Sequence, residues 1–163
     1  MAAIDVGSEA INRVSVLLDA TIVGKDNPAN ADGTIDHLDL YIVDYSSGDI
    51  DCASFSVVSG DNLSTRGVAS GLTPTNNLNE WDAPGDFTAF SIETGDYLGV
   101  YIPSTMKIRV ASSGGSGMWY EGGHDYIPCT NQLFTAYSGY ILSLYGTGVE
   151  ASAGYTPQIM MFF

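Results

Sequence analysis

Between Phe87 and Pro103 the chain reads FTAFSIETGDYLGVYIP, a stretch that restricts the fold more than any other. Phe90 and Ile92 alternate with Ala89 and Ser91, and Leu98, Val100 and Ile102 alternate with Tyr97, Gly99 and Tyr101. A two-residue period is that of a half-buried strand, whose successive side chains leave opposite faces. Glu93-Thr94-Gly95-Asp96, between the two runs, offers a glycine where a tight turn needs positive φ. The expectation is a central hairpin. Its second strand carries tyrosines opposite the aliphatic residues, so both of its faces need cover, as in a two-layer β protein.

The rest of the chain agrees in type. Val14–Val23 is β-prone and breaks near Asp19, residues 25–34 form a polar loop, and Ile35–Asp44 sets Leu38, Leu40 and Ile42 against Asp39, Tyr41 and Val43. Cys52–Val58 alternates again after a turn at Ser46–Asp49, which predicts a hairpin with the preceding strand. Residues 59–86 turn polar and read as long connections with one or two short strands, anchored by Trp81. Lys107–Val110 reads as a short strand, Ser112–Gly117 as a flexible loop and residues 139–148 as the last strong strand. Ser8–Asn12, the best helical candidate, is too short to stand alone. The sum is a single domain over residues 1–163, all-β, with about eight antiparallel strands arranged as a jelly-roll-like β-sandwich.

Nineteen acidic residues against five basic ones give a net charge of −14. Arg13, Lys25, Arg66, Lys107 and Arg109 are scattered, so no basic stripe exists to neutralise a phosphate backbone or an anionic lipid surface. The expected partners therefore include neither nucleic acid nor a membrane into which the chain inserts. MAAIDVGSEAINR lacks a basic leader before an apolar run, so secretion by that route is not expected. Cys52 and Cys129 form no metal-type cluster; reduced thiols are the expectation and a disulfide the alternative.

Chemistry is sparsely signposted. His37, in DHLDL beside Asp36 and Asp39, has no nucleophile motif near it and reads as a surface histidine. His124 is the better constellation: Trp119, Tyr120, His124, Asp125 and Tyr126 could offer stacking and polar contacts to a cell-surface glycan, with Trp81 and Asn131 as further contributors. The competing expectation is that these aromatics fill a core or a subunit interface. Asp26, Asn27, Asn30 and Asp32 supply oxygen ligands for calcium, the one cofactor worth testing, although Pro28 breaks the EF-hand spacing and such residues also cap turns. Paired acids for glycoside hydrolysis are not marked out, and no catalytic residue or enzymatic activity is expected. The apolar terminal residues Ile4, Val6, Ile11, Tyr155, Ile159, Met160, Met161, Phe162 and Phe163 are candidates for subunit contacts.

The run Phe90–Tyr101, with its x-x-G-D turn between apolar strands, is similar to a signature of jelly-roll modules. Together with Ile4–Ala10, Asp26–Ala31 and Leu144–Gly148, it makes the chain resemble jelly-roll structural proteins of tailed phages and environmental viruses. The resemblance implies a capsid decoration or head- or tail-fibre protein on the exterior of a virion, assembled in the host cytoplasm. It further implies a homo-oligomer, typically a trimer, bound to a major capsid or fibre protein.

Overall fold

The computed structural model describes residues 3–152. Among them all regular structure is β: thirteen antiparallel strands and no helix, hence none long and apolar enough to cross a membrane. The strands are β1 (Ala3–Gly7), β2 (Ser15–Leu17), β3 (Ala20–Gly24), β4 (Gly33–Val43), β5 (Ile50–Ser59), β6 (Asn62–Leu72), β7 (Asn77–Asp82), β8 (Phe90–Ile92), β9 (Tyr97–Ile102), β10 (Lys107–Gly122), β11 (Gln132–Leu133), β12 (Thr135–Leu142) and β13 (Leu144–Glu150). Their hydrogen-bonded order is β1-β13-β4-β10-β3-β9-β5-β6-β11, with β2 and β12 also on β10, and β7 and β8 also on β4.

This path doubles back. Ile4, Val6, Leu38, Leu40 and Leu144 from the β1-β13-β4 arm meet Ile22, Val100, Ile102, Cys52 and Ala69 from the β3-β9-β5-β6 arm in one buried cluster. A smaller cluster of Val23, Ala53, Phe55, Leu63, Trp119, Ile127 and Phe134 lies on the opposite face of the second arm, with Tyr97 and Tyr101 half-buried against it. Strand β9 is therefore covered on both faces, as its alternation requires.

Several connections differ from the sequence expectation. The Phe87–Pro103 segment turns as foreseen, with Gly95 at φ 88° and the Asp96 amide donating to the Glu93 carbonyl at 3.0 Å, yet it forms no hairpin. Strand β8 pairs with β4 while β9 pairs with β3 and β5, so the turn carries the chain between the two arms. Likewise β5 pairs with β6 and β9 rather than with β4. Local alternation specifies a strand but not its neighbour.

Residues 59–86 hold two strands, the upper number expected, but they are the eleven-residue β6 and the six-residue β7 rather than short strands in long connections, and Ser112–Gly117 lies inside the sixteen-residue β10 instead of a loop. Register shifts between Ala111 and Gly115 and between Gly115 and Met118 let β10 carry that glycine-rich stretch along β12. The stretch 139–148 is split at Ser143, whose hydroxyl donates to the Ile11 carbonyl at 2.7 Å. The expected break near Asp19 is present, with Asp19 at φ 51° between β2 and β3. Thirteen strands replace the eight expected, because the long runs are divided and the polar ones also pair.

Of the apolar residues expected in subunit contacts, Ile4 and Val6 are 0% exposed, buried in the main cluster of their own chain. Ile11 is 41% exposed. Tyr155, Ile159, Met160, Met161, Phe162 and Phe163 lie outside the described residues.

Candidate functional site

A bulge in β4 organises the most chemically loaded surface. On β13, Thr147 and Gly148 are successive, but their β4 partners are His37 and Ile35, so Asp36 is the extra residue. The bulge changes the parity of β4. Ile35 and Leu38 both face inward, and His37 emerges on the outer face with Asp39. Gly148 permits the close approach, since a Cβ there would sit 1.9 Å from the Thr34 carbonyl oxygen.

Strand β7 completes the surface. Its register places Asp82 opposite His37 and Glu80 opposite Asp39, while Trp81 and Asn79 point inward. His37 Nδ1 lies 2.6 Å from Asp82 Oδ1, and Nε2 lies 2.8 Å from Asp39 Oδ1. One donor atom from each of His37, Asp39 and Glu80 falls within 4.8 Å of the others. On the other side of β4, Tyr145 stands opposite Asp39 and donates its hydroxyl to Asp5 Oδ2 at 3.0 Å. Asp39 and Tyr145, with Glu9, Ala10 and Leu78, line a cleft of about 430 Å³.

The electrostatics follow from this packing. The hydrogen bond that the imidazole donates to Asp82, which outweighs partial desolvation, and the nearby Asp39 raise the His37 pKa above its ordinary value. Burial raises the Tyr145 hydroxyl pKa, and the bond and charge of Asp5 add to it. Without added metal, the folded His37 pKa exceeds the unfolded one, so its stabilising contribution is fully present below about pH 6.5 and is lost as pH rises through the folded value. Urea midpoints should accordingly fall as pH rises above about 6.5, and Asp82→Asn should flatten that decline. Equal slopes for the two proteins would contradict this coupling.

No family model, curated protein or solved structure matches this chain.

The residues singled out from sequence are placed differently. Trp119 and Tyr120 are consecutive in β10 and leave opposite faces, so they share no stacking platform. Trp119 is 5% exposed; its Nε1 donates to Asp61 Oδ1 at 2.9 Å, its ring meets Tyr97 edge-on, and Lys25 Nζ sits 4.3 Å from the ring centroid. Tyr120 instead joins Leu17, Met118, Tyr137 and Tyr140 around a second cleft, of about 250 Å³. Trp81 is buried in the main core.

His124, Asp125 and Tyr126 form a strap over the smaller cluster. The Thr21 hydroxyl donates to the His124 carbonyl at 3.0 Å and accepts the Tyr126 amide at 2.9 Å. Asp125 Oδ1 accepts the Ile127 amide at 2.8 Å, and burial, followed by the neighbouring Asp51 carboxylate, raises the Asp125 pKa despite that bond. The His124 and Tyr126 rings meet edge-on.

The side chains of the acidic loop turn to separate partners within the chain. Asp26 Oδ1 accepts the Ser116 amide, Asn27 donates to the Asp5 carboxylate and the Gly7 carbonyl, Asn30 bonds the Asp5 amide and the Ala3 carbonyl, and Asp32 Oδ1 accepts the Thr94 amide and hydroxyl. These side chains clip the loop to β10, to β1 and to the β8–β9 turn. Cys52 and Cys129 are free thiols. Glu80 and Asp82 carry no sequence signal of a motif; the alternation of Leu78, Glu80 and Asp82 against Asn79 and Trp81 is the trace that exposes them as one strand face.

Proposed function

We propose that this chain is a non-enzymatic virion structural protein, a capsid decoration or head- or tail-fibre protein that assembles as a trimer on the particle exterior against a major capsid or fibre protein. Its scaffold on this proposal is a jelly-roll-like β-sandwich, supported by two sheet arms sharing one buried cluster. One observation carries the assembly role. At the end of the sheet path, where the two-residue β11 closes on β6, Val57, Val58 and Leu133 are 42%, 51% and 61% exposed. Strand edges bearing uncovered apolar side chains pair readily with further chains. The net charge of −14 disfavours indiscriminate contacts. Burial raises the Cys52 pKa, suppressing the thiolate that nucleophilic chemistry requires, which is consistent with a structural role.

Light scattering of the native protein across concentrations tests this reading. The expected mass is that of a trimer, and the combined variant Val57→Ser, Val58→Ser and Leu133→Ser should fall to monomer with an unchanged circular dichroism spectrum. A wild-type monomer at every concentration would overturn it. A second reading, glycan recognition, is favoured by the tyrosine-lined cleft at Tyr120, Tyr137 and Tyr140, whose edge-on rings leave Tyr137 43% exposed. Binding on a glycan array that disappears in Tyr137→Ala would support that reading.

A further inference from the structure

We infer that His37, Asp39 and Glu80 form a binding site for one divalent transition-metal ion, with Asp82 as the group that orients His37. Three independent features of the β4–β7 surface lead there. The first is the hydrogen bond on the far side of the imidazole. A metal-binding histidine characteristically gives its other ring N–H to a carboxylate, which fixes the tautomer and strengthens the donor nitrogen. Asp82 Oδ1, 2.6 Å from Nδ1, occupies that position and leaves Nε2 directed at Asp39.

The second is a pair of like charges in direct register. Asp39 and Glu80 are cross-strand partners on one outer face, an arrangement that is destabilising when both are ionised and nothing lies between them. A protonated His37 offsets part of this charge by donating to Asp39 and Asp82. Once Nε2 gives up its proton to act as a donor, the three carboxylates Asp39, Glu80 and Asp82 surround an uncharged ring, and the whole chain carries only five Lys and Arg residues. A doubly charged cation relieves that repulsion.

The third is geometry. Donor atoms bound tetrahedrally at about 2.0–2.2 Å from a zinc ion lie roughly 3.3 Å from one another. The Nε2 to Asp39 separation of 2.8 Å and the 4.8 Å limit on the whole group bracket that value, and Glu80 is exposed, so the three donors stand near the spacing that an ion requires. The adjoining cleft lined by Asp39 and Tyr145 leaves room for water at the remaining position. A mixed imidazole and carboxylate set suits zinc, cobalt or nickel, whereas calcium takes oxygen ligands in larger number. Bound there, the ion bridges β4 and β7 across the sheet.

The test is calorimetric titration of the full chain with zinc chloride at neutral pH after chelator treatment and dialysis. One ion per chain is expected, accompanied by a higher melting temperature, because an ion that binds only the folded state stabilises it. Cobalt substitution should give the visible absorption of a four-coordinate site. His37→Ala and Glu80→Gln should each abolish stoichiometric binding, and Asp82→Asn should retain the site while weakening affinity about 10–100-fold. Glu80 is exposed, so Glu80→Gln keeps the fold and remains informative should His37→Ala not fold. Asp44→Asn, at a separate ion pair with Lys107, should bind like the native protein. Absence of zinc uptake by the native chain would overturn the inference, as would undiminished affinity in Glu80→Gln.

Discussion

Replacing Asp96 with alanine is expected to cost about 3 kcal/mol of folding stability, the lower end of the range for breaking a buried ion pair from one side. The Asp96 side chain is only 4% exposed and receives Arg66 Nε on Oδ2 at 2.5 Å. Arg66 Nη2 reaches Oδ1 at 3.3 Å, and the Glu93 amide donates to Oδ2 at 2.9 Å. One carboxylate thus closes the β8–β9 turn and ties it to β6. Its removal leaves the Glu93 amide without that acceptor and a guanidinium whose remaining partner is the largely exposed Glu93 carboxylate. The Arg66 side chain retains 29% exposure, so water recovers part of the loss and the upper end of the range is not reached. Asp96→Asn keeps an acceptor for the turn amide and should fall between alanine and the native protein. Urea unfolding measures all three; a deficit under about 1 kcal/mol for Asp96→Ala would mean that the turn does not depend on the pair.

The same turn shows how far the sequence could be read. Glycine at position 95 and the alternation on either side of it announced two strands and a bend, and all three are present. What alternation does not encode is the partner. Phe90 and Ile92 have the same pattern whether they return along β9 or cross to β4, and the choice rests on Asp96 holding Arg66 and on Asp32 holding Thr94, contacts between residues far apart in the chain. The β6 and β7 strands were obscured for a related reason. Their outward positions carry Ser, Thr, Asn and Glu, so the segment has the composition of a loop. In β6 the register shifts against β5 break the period, with Leu63 facing the smaller cluster and Ala69 and Leu72 the main one, and only Asn79 and Trp81 in β7 keep a simple inward alternation.

The candidate site was half legible. His37 and Asp39 stand two positions apart on an evident strand, but the bulge at Asp36 that turns them outward comes from the register with β13, and Glu80 and Asp82 arrive from a segment read as long connections whose one or two short strands the sequence does not locate. The glycan-type cluster was the converse. Trp119, Tyr120, His124, Asp125 and Tyr126 are close in sequence, yet strand parity sends Trp119 and Tyr120 to opposite faces. Proximity along a strand is a poor guide to a shared surface.

The largest single loss is expected at a residue with no sequence signal, Phe134. Its ring is 2% exposed and packs edge-on against Phe55 at 6.2 Å and against Tyr126 at 6.0 Å, closing the smaller cluster from outside. The backbone there is held independently, with the Phe134 amide donating to the Asp61 carbonyl at 3.0 Å while the Asp61 carboxylate accepts the Trp119 indole. Truncation to alanine should therefore leave a cavity rather than a collapsed strand, at a cost of about 3–5 kcal/mol. Phe134→Leu fills part of the space but loses both ring contacts, and should fall between alanine and the native protein. The location of the damage distinguishes a cap from a general core residue. Amide exchange should accelerate at Tyr126, Ile127 and Cys129, whose amides bond to Thr21, Asp125 and Thr65, while Leu38 and Leu40 in the main core remain protected. Uniform acceleration across both clusters would show that the two faces of β9 unfold as one unit and that Phe134 does not act as a separate lid on the second.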